Sequence, residues 1–213
     1  MVWKSRKRNC CLKLRKIVYL ISPKKIYKNF YNDLQKVLKS NKVKFFQLRL
    51  KNISRKKVVF FGKKIKKITD DFRVKLIIND DPTAAYLIKG SGCHIGQSDA
   101  SFIIAKKILK KETIGVTCHG SMRLARKAIK NKADYIAIGS FFNSKLKPKA
   151  KKAKQKIIRK LKKETKIPIV AIGGINDKNY KKLISMGANY IAISSFIWNN
   201  ASLKPEKAIN RFK

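Results

Sequence analysis

Three of the eleven acidic residues in the sequence stand where two short apolar runs stop. Leu76, Ile77 and Ile78 run into Asn79, Asp80 and Asp81, and Cys93, His94 and Ile95 run through Gly96, Gln97 and Ser98 into Asp99. Carboxylates converging at neighbouring strand ends suit a hard cation, because Mg²⁺ binds through one or two of them and completes its shell with water and substrate phosphate. Asp is equally a favoured N-cap, so Asp81 can cap a helix beginning at Pro82 and Asp99 one beginning near Ser101. Spacing alone leaves both readings open.

Such residues need a scaffold that brings distant strand ends together. Lys16 to Ser22 (KIVYLIS), Val43 to Leu50 (VKFFQLRL), the two runs above, Thr113 to Cys118, Asp134 to Phe141, Ile167 to Gly174 and Tyr190 to Ile197 read as eight buried strands. Between them, apolar residues recur at helical spacing in 26–38, about 54–68, a short segment after Pro82, 102–109, 122–129, a basic stretch ending near Glu164, and 178–186; a last helix follows Pro205. Eight strands alternating with eight helices, at about 27 residues per unit, predict a single-domain α/β chain folded as a (β/α)₈ TIM barrel over 16–213. An open doubly wound sheet is the competing arrangement, but the first strand-to-helix turn has no glycine-rich dinucleotide fingerprint.

A barrel carries its chemistry at the C-terminal ends of its strands. Read together, those ends offer Gln47, Arg49 and Lys51; Asn79, Asp80 and Asp81; Gln97 and Asp99; Thr117, Cys118 and His119; the loop from Gly139 to Lys147; Gly173 and Gly174; and Ser194 and Ser195. Barrels often build a phosphate site from the loops after strands seven and eight, where Gly174, Ser194 and Ser195 stand. The same glycines also permit a tight turn. Across the mouth, Arg49, Lys51 and Lys147 beside the acidic pair describe Mg²⁺-diphosphate binding, in which cations neutralise a leaving group.

At these positions the sequence resembles the thiamine-phosphate synthase family. The resemblance rests on QLRLK (47–51), IND (78–80), HIGQSD (94–99), GVTCH (115–119), the 139–147 loop, AIGGI (171–175) and the ISS of the last strand, in family order over residues 16 to 198. It implies condensation of a hydroxymethylpyrimidine diphosphate with a thiazole phosphate, giving thiamine monophosphate and diphosphate with the help of Mg²⁺. It further implies that Gln47, Arg49, Lys51, Asn79, Thr117 and Lys147 contact the pyrimidine diphosphate, with Arg49, Lys51, Lys147 and Thr117 in the catalytic set. Asp80 and Asp99 match metal ligands, and Ser144 to Leu146, Gly174, Ser194 and Ser195 match the thiazole-phosphate site. The implied mechanism is dissociative and needs no protein nucleophile, and no Ser-His-Asp or Cys-His arrangement is evident.

The chain departs from the family pattern in the 139–147 loop. Ser140 and Asn143 replace prolines, while Ser144 and Leu146 replace threonines, so only Ser144 keeps a hydroxyl. Ser98 stands where glutamate is common, and Thr117 replaces a serine. His94 and His119 each read as either packed core residues or site residues. His119 matches a functional histidine of a related barrel, the thiazole tautomerase, which lacks the complete diphosphate and Mg²⁺ constellation. A tautomerase-like barrel is therefore one alternative, and a nonenzymatic polyanion-binding barrel is another.

That last alternative comes from the net charge of +43. Lysine-rich surfaces bind phosphate backbones through counterion release. Here only ten of 54 basic residues are arginine, the lysines lie on every expected helix, and no aromatic residues interleave with them in one stripe. A solvated surface is expected, with no specific nucleic-acid partner but with nonspecific polyanion binding or steering of anionic substrates as a side property. No apolar run approaches the ~18–20 residues of a membrane span. Residues 1–15 form a basic leader without the apolar core of a secretory signal. Cys10, Cys11, Cys93 and Cys118 lack metal-type spacing, and a reduced, cytoplasmic location is expected.

Overall fold

The computed structural model describes residues 16–98, 101–143 and 151–213. Eight parallel strands close on themselves in chain order: β1 (Val18–Ile21), β2 (Val43–Leu48), β3 (Lys75–Asn79), β4 (Gly92–Ile95), β5 (Thr113–His119), β6 (Tyr135–Gly139), β7 (Ile169–Ile172) and β8 (Tyr190–Ile193). The closing pair is β1 with β8, where Val18 stands opposite Ile191 and Leu20 opposite Ile193. This is the TIM barrel that the alternation of elements predicts.

Why these strands are apolar along almost their whole length follows from closure, which buries both faces. Val18 and Leu20, Phe46 and Leu48, Leu76 and Ile78, and Ile136 and Ile138 point outward into the layer shared with the helices. Tyr19 and Ile21, Phe45, Ile77, Tyr135 and Ala137, Val170 and Ala192 point inward and fill the barrel. With a side-chain period of two, the residues two places further along, such as Gln47 after Phe45, face the same interior nearer its C-terminal mouth.

Around the barrel stand α1 (Phe30–Leu38), α2 (Arg55–Asp71), α3 (Pro82–Ile88), α4 (Phe102–Leu109), α5 (Met122–Lys130), α6 (Lys156–Glu164), α7 (Tyr180–Ser185), α8 (Ser195–Trp198) and α9 (Pro205–Ile209). Each long helix presents one apolar stripe inward, as Phe30, Leu34, Val37 and Leu38 do on α1. Serines start several of them: Ser54, Ser101 and Ser121 accept from the amides of Lys57, Ile104 and Leu124.

Some boundaries differ from the sequence-based expectation. The eighth strand stops at Ile193 rather than Ile197, and Ser195–Trp198 is a helical turn that buries Ile197 and lets Trp198 Nε1 donate to the Ile21 carbonyl at 2.7 Å. The described residues therefore hold nine helices rather than eight. The first helix begins at Phe30, not Ile26, and the cap of α4 is Ser101, not Asp99. Residues 1–15, expected as a basic leader, lie outside the described residues.

Candidate active site

At the C-terminal mouth of the barrel the strand ends enclose a cavity of about 500 Å³. Gln47, Arg49, Lys51, Asn79, Asp80, Thr117, Gly174, Ser194 and Ser195 all line it, so positions spread over 149 residues of sequence meet at one opening. Asp99, Ser144, Leu146 and Lys147, also expected at the site, lie outside the described residues.

The acidic positions after β3 divide between the two readings the sequence left open. Asp81 is the cap of α3: its carboxylate accepts from the Ala84 amide at 2.9 Å and pairs with Arg55 Nε at 2.6 Å. Asp80 instead lines the cavity, and its carboxylate pairs with the Lys51 ammonium. The backbone of Asp80 has φ of 64°, a left-handed conformation that Asp tolerates better than bulky residues do. The Asp80 amide donates to the His94 carbonyl at 2.8 Å, which ties this turn to the end of β4.

On the opposite wall, Gly173 and Gly174 have φ of 103° and 63°, the left-handed region that favours glycine. A Cβ on Gly174 would stand 2.2 Å from the Asn143 carbonyl, and one on Gly173 would stand 1.9 Å from Ser140 Oγ. These glycines thus let the β7 turn close against the loop after β6, a packing role beside any ligand role. Ser194 Oγ donates to the Ser22 carbonyl at 3.0 Å, and Ser22 Oγ accepts from the Arg49 amide at 2.9 Å. Through Ser22 the ends of β8, β1 and β2 are stapled together.

The floor of the cavity is a buried polar chain inside the barrel. Gln47 Nε2 donates to Tyr19 Oη at 3.0 Å, the Tyr19 and Tyr135 hydroxyls bond at 2.7 Å, Tyr135 Oη meets His94 Nδ1 at 3.0 Å, and His94 Nε2 meets Thr117 Oγ1 at 2.7 Å. Burial raises both tyrosine hydroxyls well above the ordinary tyrosine range, so they remain neutral. Gly115 makes room for this arrangement, because a Cβ there would stand 1.9 Å from the Tyr135 ring. His94 is therefore a buried, hydrogen-bonded residue that also faces the site, whereas His119 is exposed at the cavity wall beside the irregular pairing of β5 with β6. Tyr19 and Tyr135 were not among the residues expected at the site. Their signal is faint: a hydroxyl at an inward position of an otherwise apolar strand.

The donors at the mouth have a clear chemical bias. Arg49, Lys51 and Lys24 supply positive charge, and Asp80 supplies carboxylate oxygen, the hard donor that Mg²⁺ prefers. Among the described residues no three His, Cys, Asp or Glu side chains group together as a metal cluster. A cation held by one or two carboxylates plus substrate oxygens needs no such cluster, so the Asp80 donor fits the ion.

Fold and site together define a TIM-barrel protein whose mouth presents Lys24, Arg49 and Lys51 beside Asp80. The family model for thiamine monophosphate synthase matches residues 18–197. The chain is 52% identical over 200 residues to the thiamine-phosphate synthase of Pelagibacter ubique, covering 93% of this chain and 97% of that protein. It is 34% identical over 195 residues to the thiamine-phosphate synthase of Clostridium acetobutylicum, covering 90% and 92%. Among solved structures, a thiamine phosphate pyrophosphorylase from Pyrococcus furiosus superposes with a TM-score of 0.83 at 26% identity over 94% of this chain and 95% of that one. The chain belongs to the thiamine monophosphate synthase family, whose members named here are transferases.

Proposed function

We propose that this chain is a thiamine-phosphate synthase that joins a hydroxymethylpyrimidine diphosphate to a thiazole phosphate, forming thiamine monophosphate and releasing diphosphate. The observation that carries the reading is the single cavity lined at once by Gln47, Arg49, Lys51, Asn79, Asp80 and Thr117 on one side and by Gly174, Ser194 and Ser195 on the other. Two facing subsites for anions match a reaction with two phosphorylated substrates.

In the proposed reaction the bond between the pyrimidine methylene carbon and the diphosphate oxygen breaks, and its electron pair leaves on that oxygen. The thiazole nitrogen then donates its lone pair to the methylene cation and forms the new C–N bond. Arg49, Lys51 and Lys147 neutralise charge growing on the leaving oxygen, which is where electrostatic stabilisation lowers a barrier most. Gln47, Asn79 and Thr117 fix the pyrimidine, so much of the acceleration comes from holding two reactants in line. Asp80 and Asp99 would hold Mg²⁺, which when bound neutralises diphosphate oxygens. Lys51, paired with the Asp80 carboxylate, stands beside the position where that ion and the diphosphate would bind. Ser144, Gly174, Ser194 and Ser195 hold the thiazole phosphate, and Ser194 exchanges the Ser22 carbonyl for a phosphate oxygen.

Residues 16–213 constitute the catalytic domain in this reading, with 1–15 as a basic leader and the cytoplasm as the working compartment. No helix among the described residues is long and apolar enough to cross a membrane.

Asp80 and Asp81 are adjacent yet do different work, and this provides the test. Asp80→Asn should lower the rate of thiamine monophosphate formation by roughly 10²–10³, the scale of losing one electrostatic stabiliser. Asp81→Asn, which keeps a capping side chain, should stay within roughly threefold of the parent. Equal losses in the two variants would sink the assignment of Asp80. Asp80→Asn protein that makes no thiamine monophosphate but still isomerises the thiazole would favour the tautomerase reading, in which His119 at the cavity wall is the working residue.

A further inference from the structure

The hydrogen bonds on the cavity floor form a single chain, and donors and acceptors along it are not independent. Gln47 donates an N–H to Tyr19 Oη. Either hydroxyl of the Tyr19–Tyr135 pair could donate across the 2.7 Å between them; Tyr19, already accepting from Gln47, has its own hydrogen to give to Tyr135 Oη. Tyr135, having accepted, gives its hydrogen to His94 Nδ1 at 3.0 Å. An imidazole that accepts at Nδ1 carries its proton on Nε2 when neutral. Nε2–H therefore donates to Thr117 Oγ1 at 2.7 Å, and the Thr117 hydrogen is directed away from the imidazole, toward the cavity that Thr117 lines.

We propose that Gln47, Tyr19, Tyr135 and His94 form a one-way hydrogen-bond chain that locks His94 as the Nε2–H tautomer and makes the Thr117 hydroxyl a fixed donor, selecting a ligand that presents an acceptor atom there. His94 and the two tyrosines are positioning residues, because they act through Thr117. The choice of ligand rests on the reading above, in which Thr117 meets the pyrimidine diphosphate; the polarity of the chain does not. Several features suit a fixed chain. Tyr19 and Tyr135 are almost wholly buried, their rings are 5.6 Å apart, and the His94 ring stacks on Tyr135 with centroids 5.5 Å apart and planes 15° from parallel. Both hydroxyls stay protonated in that setting, so each passes one hydrogen on. Successive hydrogen bonds also polarise one another, which favours a single direction along the chain.

The opposite polarity is equally well defined. Gln47 would turn its carbonyl oxygen to Tyr19, every hydrogen would reverse, His94 would carry Nδ1–H, and Thr117 would spend its hydrogen on Nε2. The ligand would then meet an acceptor instead of a donor.

Nitrogen NMR on protein labelled with nitrogen-15 in histidine separates the two, since the sequence has only two histidines. A His119→Asn variant assigns the His94 signals. Expected is a pyrrole-type Nε2 bearing hydrogen and a pyridine-type Nδ1; an Nδ1–H signal for His94 would overturn the proposal. The functional arm uses Tyr135→Phe, Thr117→Val and the double variant, each first shown to be folded. Thr117→Val should raise KM for the pyrimidine diphosphate about tenfold, the scale of one lost hydrogen bond. Tyr135→Phe should raise it by less, and should add no more than about twofold once Thr117 is already Val, because coupled residues are non-additive. A Tyr135→Phe effect that survives undiminished in the Thr117→Val background would show that the chain does not act through Thr117. If the parent protein makes no thiamine monophosphate, the reading of the substrate falls, while the His94 tautomer still decides the polarity.

Discussion

At the scale of single residues, adjacent positions in one loop acquire different chemistry from the direction in which each points. Asp81 is consumed by the first turn of α3 and by Arg55, while Asp80, one residue earlier and in a left-handed conformation, faces the cavity and Lys51. Sequence spacing offered both a capping and a metal reading, and it had no means of dividing them, because both depend on backbone dihedrals at the turn. The buried tyrosines show another limit. An inward tyrosine in a barrel strand looks like packing until its hydroxyl is seen to reach a neighbour across the barrel. Cysteine chemistry can also be judged residue by residue. Burial pushes the Cys118 thiol up to about 12, so only a minute fraction is thiolate near neutral pH. Iodoacetamide treatment of the native protein near neutral pH should leave the peptide containing Cys118 unmodified by mass spectrometry, with modification appearing on denaturation. Rapid alkylation in the folded state would contradict that burial.

Among elements, the alternating apolar runs carried the fold. Each strand is buried on two sides and so reads as a continuous apolar run, each long helix has one apolar stripe, and the barrel follows from their regular alternation. Boundaries were less legible where an apolar stretch crosses from one element to the next. Phe196, Ile197 and Trp198 extend the pattern of β8, yet they form α8, because packing of Ile197 and the bond from Trp198 to Ile21 are tertiary events. Strand ends named from the sequence could be gathered into one mouth because a barrel aligns all its C-terminal ends on one face. The roles of Ser144 and Lys147 rest on the sequence alone, since both lie outside the described residues. Element packing also explains Gly115 in the middle of β5. Its missing Cβ leaves room for the Tyr135 ring, which is fully enclosed and cannot swing aside. Gly115→Ala should destabilise the fold by about 1–3 kcal/mol through overpacking, measured by urea unfolding. Unchanged stability would mean that the tyrosine floor is looser than its contacts imply.

For the whole molecule, charge is the dominant property. With 54 basic and 11 acidic residues, most cations have no acidic partner, and ion pairs such as Arg126–Glu164 between α5 and α6 neutralise only a few of them. Self-repulsion of this kind destabilises a compact state and is screened over a Debye length of about 8–10 Å at physiological ionic strength. The melting temperature should therefore rise by several degrees between low and moderate salt, given that about 1 kcal/mol moves a domain of this size by roughly 2–4 °C. A melting temperature that is flat or falls over that range would count against repulsion as a significant destabilising term. The same field would draw anions toward a mouth that presents Arg49 and Lys51.

The central claim, that the cavity joins two phosphorylated substrates with the aid of a metal held at Asp80, is tested most directly by one assay. Purified protein is given the pyrimidine diphosphate and the thiazole phosphate, with Mg²⁺ and with a chelator, and thiamine monophosphate is measured. The account predicts product and an equal quantity of diphosphate with Mg²⁺, and loss of both with the chelator. Folded protein that yields no thiamine monophosphate with Mg²⁺ would contradict it.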